Sequence, residues 1–150
     1  MAEQQLNQFA KESKTMEGVS ACASSPRQKA SALGQEQGFS ERLFSTKLFT
    51  LCGLLRPGLS SHSKILRVYI EGDGHAWESR TRPSTNPTPR NPVALRLAMA
   101  DPGADTVLYL ARPCQYVQGE DRRQCSNRYW TSFNRIILAL PCVVNCNNWM

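Results

Sequence analysis

The chain has 150 residues, of which 41% are hydrophobic, and a formal net charge of +6. This length allows one ordinary globular domain that buries about 70% of the surface its unfolded chain exposes. The charge comes from 13 arginines and 5 lysines spread along the sequence. Because no basic cluster or aromatic platform accompanies them, we expect no nucleic-acid partner. The longest apolar run, residues 136–144, is far shorter than the roughly 20 residues that span a membrane.

Residues 1–24 are predicted to be a disordered or displaced N-terminal segment, since they are rich in Gln, Lys and Glu. Residues 19–22, Val-Ser-Ala-Cys, form the pattern of a bacterial lipoprotein cleavage site, which makes Cys22 a lipidation candidate. A secretory signal also needs an apolar segment of about 7–15 residues before that site. Residues 1–18 do not supply one, so the alternative is an ordinary linker cysteine.

A helix and two strands are predicted next. Ser25 is suited to cap a helix whose first turn contains Pro26, and Gly38 is suited to end it. Residues 44–55 are apolar on both faces and predict one strand. Residues 65–70 predict a second strand, bounded by turn-forming residues on both sides.

A long loop and a second helix follow. Asn91 is the predicted N-cap, with Pro92 in the first turn. The helix covers residues 93–100, and its apolar face is formed by Val93, Ala94, Leu97 and Ala98. Residues 106–111 are continuously apolar, which is typical of a strand buried on both faces of a parallel sheet. Strand, crossover helix and strand form a βαβ unit, so the fold class is α/β.

The carboxyl ends of the two parallel strands are the predicted site, because ligands of such sheets bind there. This places residues 72–74, Gly-Asp-Gly, on the same rim as residues 112–114. Amide N–H groups in a Gly-x-Gly turn can stabilise an oxyanion, and one well-aimed donor contributes on the order of 3–4 kcal/mol. The alternatives are an ordinary glycine turn, or Glu71 and Asp73 acting as paired carboxylates rather than as solvated surface acids.

Several longer motifs carry a family resemblance. They are Tyr-Ile-Glu-Gly-Asp-Gly at 69–74, Asn-Pro-Thr-Pro-Arg-Asn-Pro-Val-Ala-Leu at 86–95, Tyr-Leu-Ala-Arg-Pro-Cys-Gln-Tyr at 109–116, and Tyr-Trp-Thr at 129–131. Together they resemble the N-terminal third of a little-characterised bacterial branch of the α/β-hydrolase superfamily, over about residues 22–132. Members of this branch often begin as lipoprotein precursors, which implies a periplasmic or lipid-anchored location and membrane anchoring through Cys22 in an intact precursor.

The resemblance implies a partial α/β-hydrolase sheet in residues 25–132 and, in the parent protein, hydrolysis of an ester-type substrate. It implies that Gly72, Asp73 and Gly74 occupy the place of the oxyanion loop after the third strand. It also implies a disulfide between Cys114 and Cys125. No cofactor or metal is expected.

The departures from the family predict a truncated, inactive protein. An α/β-hydrolase requires a G-x-S-x-G nucleophile elbow followed by an acid and a histidine. The sequence contains no G-x-S-x-G, and its histidines are His62 and His75. Residues 133–150 do not resemble the family's continuation and are interpreted as a divergent tail. A small-molecule substrate is therefore expected only if the missing part is restored, and an open sheet edge is expected to favour aggregation.

Three other hypotheses stay open. One is a secreted or surface-anchored binding protein stabilised by Cys114–Cys125 and by a second disulfide between Cys142 and Cys146. Another is a fragment that docks with a separately encoded remainder. A third is a zinc site formed by the same four cysteines, although their spacing differs from the short paired spacing of structural zinc sites.

Overall fold

The computed structural model describes residues 24–59 and 64–132. Its elements are α1 (Pro26–Gln35), β1 (Ser40–Ser45), β2 (Thr50–Arg56), β3 (Leu66–Ile70), α2 (Val93–Met99), β4 (Thr106–Leu110), a 3-10 helix (Gly119–Arg122) and α3 (Arg128–Thr131). The four strands form one mixed sheet in the order β1-β2-β4-β3. Strands β3 and β4 are parallel, and β2 is antiparallel to both of its neighbours. This part of the chain is therefore an α/β structure, and none of its helices has the length and apolarity needed to cross a membrane.

Helix α1 is set by local signals at both ends, as predicted. The Ser25 hydroxyl accepts a hydrogen bond from the Gln28 N–H at 3.2 Å, and the Gln28 side chain accepts one from the Ser25 N–H at 2.7 Å. This reciprocal pair is a capping box. At the other end Gly38 has a φ of +78°, and the Phe39 N–H donates to the Gly34 carbonyl at 3.0 Å. Glycine ends helices in this way because it adopts the left-handed conformation without a steric cost.

The prediction of one strand over residues 44–55 is wrong, because the chain forms the β1–β2 hairpin there. Thr46 makes the turn. Its N–H donates to the Phe49 carbonyl at 2.8 Å, and its hydroxyl accepts from the N–H groups of Leu48 and Phe49 at 3.3 and 2.9 Å. Strand β1 is Ser-Glu-Arg-Leu-Phe-Ser. Its composition is too polar to be found from an apolar pattern, and its pairing with β2 is what makes it a strand.

Two apolar clusters lie on the sheet. Consecutive residues of a strand face opposite sides, and Cys52 belongs to the first cluster whereas Leu51 belongs to the second. Burial raises the pKa of the Cys52 thiol to about 11. The first cluster joins both longer helices to the sheet through Ala30, Phe39, Cys52, Leu54, Leu95, Ala98, Val107, Tyr109, Ala111 and Tyr116. The second joins the loops to it through Phe49, Leu51, Ala76, Cys114 and Trp130.

Helix α2 packs with a face that differs from the predicted one. Leu95 and Ala98 are fully buried, whereas Val93 and Leu97 are 56% and 57% exposed. The sequence of this helix, Val-Ala-Leu-Arg-Leu-Ala-Met, has a single polar residue. Apolar side chains therefore lie on nearly every side of it, and the pattern alone does not specify which side faces the sheet.

The carboxylate of Asp101, which follows α2, joins three parts of the fold. It accepts hydrogen bonds from the Tyr69 hydroxyl at 2.7 Å, the Gly103 N–H at 2.7 Å and the Arg67 guanidinium at 3.1 Å. Arg56 of β2 donates to the Asp101 carbonyl at 2.8 Å. The bond from Tyr69 is the largest reason why the pKa of Asp101 is lowered from its ordinary value. Asp101 thus connects β2 and β3 to the turn before β4.

A lowered pKa makes a testable prediction about acid stability. A carboxylate of this kind stabilises the fold above its pKa in the unfolded chain, about 3.9 for Asp. That contribution is lost as the pH falls through the lower pKa of the folded state. We expect Asp101→Asn to lower the Tm at pH 7 and to weaken the decrease in Tm below about pH 4. Thermal unfolding followed by circular dichroism across this pH range measures both effects. Glu36→Gln, at an exposed position, is the control. If the Tm of Asp101→Asn fell with pH as steeply as that of the wild type, the lowered pKa of Asp101 would be contradicted.

Candidate functional site

A pocket of about 540 Å³ lies at the end of β3, between the loop that follows this strand and helix α2. Residues 72–74 follow β3, residues 112–114 follow β4, and the two strands are parallel neighbours, so both loops lie on one rim as the sequence predicts. The polar lining comes from Glu71, Gly72, Gly74, His75, Arg90 and Asn91. The apolar lining comes from Ile70, Pro89, Val93, Ala94 and Leu97.

The side chain of Glu71 fixes the start of the rim loop. Glu71 is buried, and its Oε1 accepts hydrogen bonds from the Gly72 N–H at 3.0 Å and from the Ala94 N–H at 3.4 Å. Its Oε2 accepts from the Tyr109 hydroxyl at 3.1 Å. Burial is the main reason why the pKa of Tyr109 is raised, which keeps this phenol protonated as a donor. The prediction that Asn91 caps α2 is wrong, since the carboxylate of Glu71 reaches the first turn instead.

Glu71 and Asp73 do not form a pair of available carboxylates. Glu71 is occupied by its three hydrogen bonds, and Asp73 forms an ion pair with Arg112 from the loop after β4. The interpretation of both as solvated surface acids is also wrong for Glu71, which is buried. Across residues 24–59 and 64–132, no group of three or more His, Cys, Asp or Glu side chains is placed to hold a metal ion.

Gln115 holds three loop segments together, although no sequence pattern identified it. Its side chain is buried, and Nε2 donates to the Gly72 carbonyl at 3.0 Å and to the Pro87 carbonyl at 3.4 Å. Its Oε1 accepts from the Arg112 N–H at 3.1 Å. The signals available in the sequence were its position just beyond β4, on the rim where ligands are expected, and its place in the motif at 109–116.

The Gly-Asp-Gly loop presents two backbone donors. The Gly72 N–H is bonded to Glu71, but the N–H groups of Asp73 and Gly74 have no acceptor among the residues that the structure describes. Both residues are exposed. Gly74 has a φ of +62°, and a Cβ atom there would lie 2.2 Å from the Pro87 carbonyl oxygen. Glycine is therefore required at this position, whereas a Cβ at Gly72 would meet nothing within 4 Å.

His75, at the side of the pocket, has two competing partners. Its Nε2 lies 3.1 Å from the Glu78 carboxylate and 3.1 Å from the Arg90 guanidinium. Nε2 donates to Glu78 when it carries a proton and accepts from Arg90 when it does not, so the position of the ring proton selects the partner. The hydrogen bond with His75 is the largest cause of the lowered pKa of Glu78, which agrees with donation to the carboxylate. The other histidine, His62, lies outside the described residues.

Cys114 and Cys125 form a disulfide with a Cα–Cα distance of 5.6 Å, which is the pairing that the resemblance implies. It closes the loop that contains the 3-10 helix. Cys114 has a φ of +72°, an uncommon conformation for a residue other than glycine. The disulfide takes up two of the four cysteines of the zinc alternative. The other two, Cys142 and Cys146, and the lipidation candidate Cys22 lie outside the described residues.

These features define an α/β structure with a ligand-sized pocket where ligands of such sheets bind. Comparison of the chain with protein-family models, with curated proteins and with solved structures gave no significant match.

The two glycines of the loop differ in a way that mutation can test. Gly74→Ala places a side chain at a positive φ and against a backbone carbonyl, so we expect it to destabilise the fold by about 1–3 kcal/mol. Gly72→Ala is the matched control and should change stability by about 0.5 kcal/mol or less. Urea unfolding of both variants measures the difference. Equal losses of stability would contradict the described loop geometry.

Removal of the disulfide should also destabilise the fold. In the chain-entropy account, closing a loop of this length stabilises a fold by about 3 kcal/mol, because Cys114 and Cys125 are 11 positions apart. We expect the double variant Cys114→Ala/Cys125→Ala to lose most of that amount in urea unfolding. Intact-mass measurement after alkylation, with and without reductant, verifies that the wild type contains the bond. An unchanged unfolding midpoint in the double variant would contradict this prediction.

Proposed function

We propose that this chain carries the oxyanion-loop part of an α/β-hydrolase-type site, binds carboxylates or ester carbonyl groups at the rim, and does not hydrolyse esters by itself. The observation behind the proposal is the pair of open backbone donors at Asp73 and Gly74. They lie beside a pocket at the end of the third strand. In α/β-hydrolases one donor of the oxyanion hole comes from the loop between the third strand and the first helix that follows it.

The order of the strands also supports the proposal. The resemblance implies an α/β sheet that contains parallel strands joined by a crossover helix. Here β1 and β2 are antiparallel, and β3 and β4 are parallel with α2 between them in the chain. The Gly-Asp-Gly loop lies between β3 and α2, which is the place of the family's oxyanion loop.

The absence of hydrolysis follows from the missing nucleophile. The sequence contains no G-x-S-x-G. Within residues 24–59 and 64–132 the His75 ring contacts Glu78 and Arg90 rather than a hydroxyl or thiol group. A nucleophile needs an adjacent base that activates it. The parts of a catalytic triad act as a unit, so an oxyanion hole alone gives little turnover.

A second candidate is a disulfide-stabilised binding protein that has no relation to ester chemistry. The Cys114–Cys125 bond favours it, because disulfides persist in oxidising compartments such as the periplasm or the cell exterior. In this candidate a ligand binds in the same pocket without hydrogen bonds to the N–H groups of Asp73 and Gly74. The two candidates therefore predict different contacts for a bound anion.

The test is a titration of ¹⁵N-labelled protein with butyrate and with methylphosphonate, followed by NMR. If the proposal is right, the amide resonances of Asp73 and Gly74 shift downfield on binding, and that of Gly72, already bonded to Glu71, shifts least. Gly119, another glycine with positive φ, is the internal control. In parallel, p-nitrophenyl butyrate should be hydrolysed no faster than in buffer.

Two results would overturn the proposal. Turnover that a single serine, threonine or cysteine substitution abolishes would show that the chain has its own nucleophile. Shifts confined to the apolar wall of the pocket, with Asp73 and Gly74 unchanged, would favour the second candidate.

A further inference from the structure

The outer side of β3 carries an exposed apolar surface. Strand β3 is the last strand of the sheet and pairs only with β4 within the described chain. Val68 and Ile70 are 45% and 53% exposed, and Val93 and Leu97 of α2 are exposed to a similar extent. Ile70, Val93 and Leu97 line the same pocket, so they are close neighbours. These four residues are called the β3-edge surface below.

The backbone of β3 has open hydrogen-bonding groups along this surface. The Glu71 N–H donates to the Leu110 carbonyl of β4 at 3.0 Å. Since backbone groups of successive residues in a strand point to opposite sides, the N–H and C=O groups of Val68 and Ile70 point away from β4. A row of such groups is a template for another strand. The edge therefore offers apolar side chains and backbone partners together.

Charges around the β3-edge surface indicate what kind of segment it would accept. Arg67, the charged residue of β3, is paired with Asp101 and Asp105 at 3.1 and 2.9 Å. Arg90 and Arg96 form no ion pair with a carboxylate in residues 24–59 and 64–132. Arg90 contacts the His75 ring and contributes to the lowered pKa of Glu78. Arg90 lines the pocket, and Arg96 is exposed on α2 next to the apolar residues of the surface. The surface is thus apolar at its centre and positively charged at its border.

We propose that the β3-edge surface binds an extended segment of a second polypeptide, which adds to the sheet as a fifth strand. The segment would present alternating apolar side chains to Val68 and Ile70 and acidic residues to Arg90 and Arg96. Addition of a strand to an exposed edge is a general mode of peptide recognition, in which backbone bonds give affinity and side chains give specificity.

Charge complementarity favours a second polypeptide over residues 133–150 and over a second copy of this chain. Residues 133–150 contain one arginine and no aspartate or glutamate, so they offer nothing to the two arginines. A second copy of this chain would bring its own Arg90 and Arg96 to the same interface and so would add like charges. The β3-edge surface shares Ile70, Val93 and Leu97 with the pocket of the proposed site, but strand addition makes no use of the backbone donors at Asp73 and Gly74.

The test uses the full chain and two synthetic peptides. In both peptides valine and threonine alternate over the length of β3, and glutamates flank this core in one peptide and lysines in the other. At low salt the glutamate peptide should bind about tenfold more tightly, because each exposed ion pair contributes a modest gain. Hydrogen exchange should slow at the Val68 and Ile70 amides when it binds. Arg96→Glu should abolish or reverse the preference between the two peptides.

A second variant tests the backbone contribution. Val68→Pro removes an N–H group that points away from β4, and proline is tolerated on edge strands. It should keep the circular dichroism spectrum and lose peptide binding. If it fails to fold, Arg96→Glu, at an exposed position, still tests the proposal by itself.

Three outcomes would overturn the inference. Equal affinity for the two peptides would show that Arg90 and Arg96 do not select acidic residues. Protection of Val68 and Ile70 in the free monomer would show that the chain covers its own edge. Protection that rises with protein concentration, together with a doubled mass in light scattering, would identify a second copy as the occupant.

Discussion

The rim depends on one buried carboxylate, that of Glu71. A buried carboxylate needs hydrogen-bond donors, and each one left unmade costs about 1–3 kcal/mol or more. Glu71 obtains its donors from Gly72, from Ala94 of α2 and from Tyr109 of β4. The end of β3, the beginning of α2 and the carboxyl end of β4 therefore meet at one point. Because the Gly72 N–H is used in this way, the open donors of the loop are those of the next two residues.

The loop is also held from the side of β4. Gln115 donates to the carbonyls of Gly72 and Pro87, and Arg112 pairs with Asp73. The disulfide at Cys114 fixes the segment that carries these side chains. A site whose donors are held by buried neighbours loses little freedom when a ligand binds, and this preorganisation is what an oxyanion-binding loop requires. The loop is thus held from both sides, as the proposed oxyanion role requires, and hydrolysis would need a nucleophile in addition.

Local signals in the sequence predicted more of the fold than of the site. The limits of α1 follow from Ser25 and Gly38, whose effects extend over a few residues, and the βαβ unit follows from apolar patterns and turn residues. Strand β1 could not be found in this way, because its partner β2 stabilises it rather than its own composition. The role of Glu71 was missed for the same reason, since its donors Ala94 and Tyr109 lie 23 and 38 positions further along the chain. Apolar and turn patterns in the sequence show where the rim lies. The hydrogen bonds that shape the rim join residues far apart in the chain, and such patterns do not reveal them.

The buried thiol of Cys52 has a consequence for the study of motion in this protein. With a pKa of about 11, roughly one molecule in ten thousand carries the reactive thiolate at pH 7. Burial among the helices and the sheet also keeps reagents away from the sulfur. Alkylation of Cys52 therefore requires α1 or α2 to separate from the sheet, and its rate reports the free energy of that opening. The chain contains its own probe for breathing of the core, at a position apart from the rim where ligands would bind.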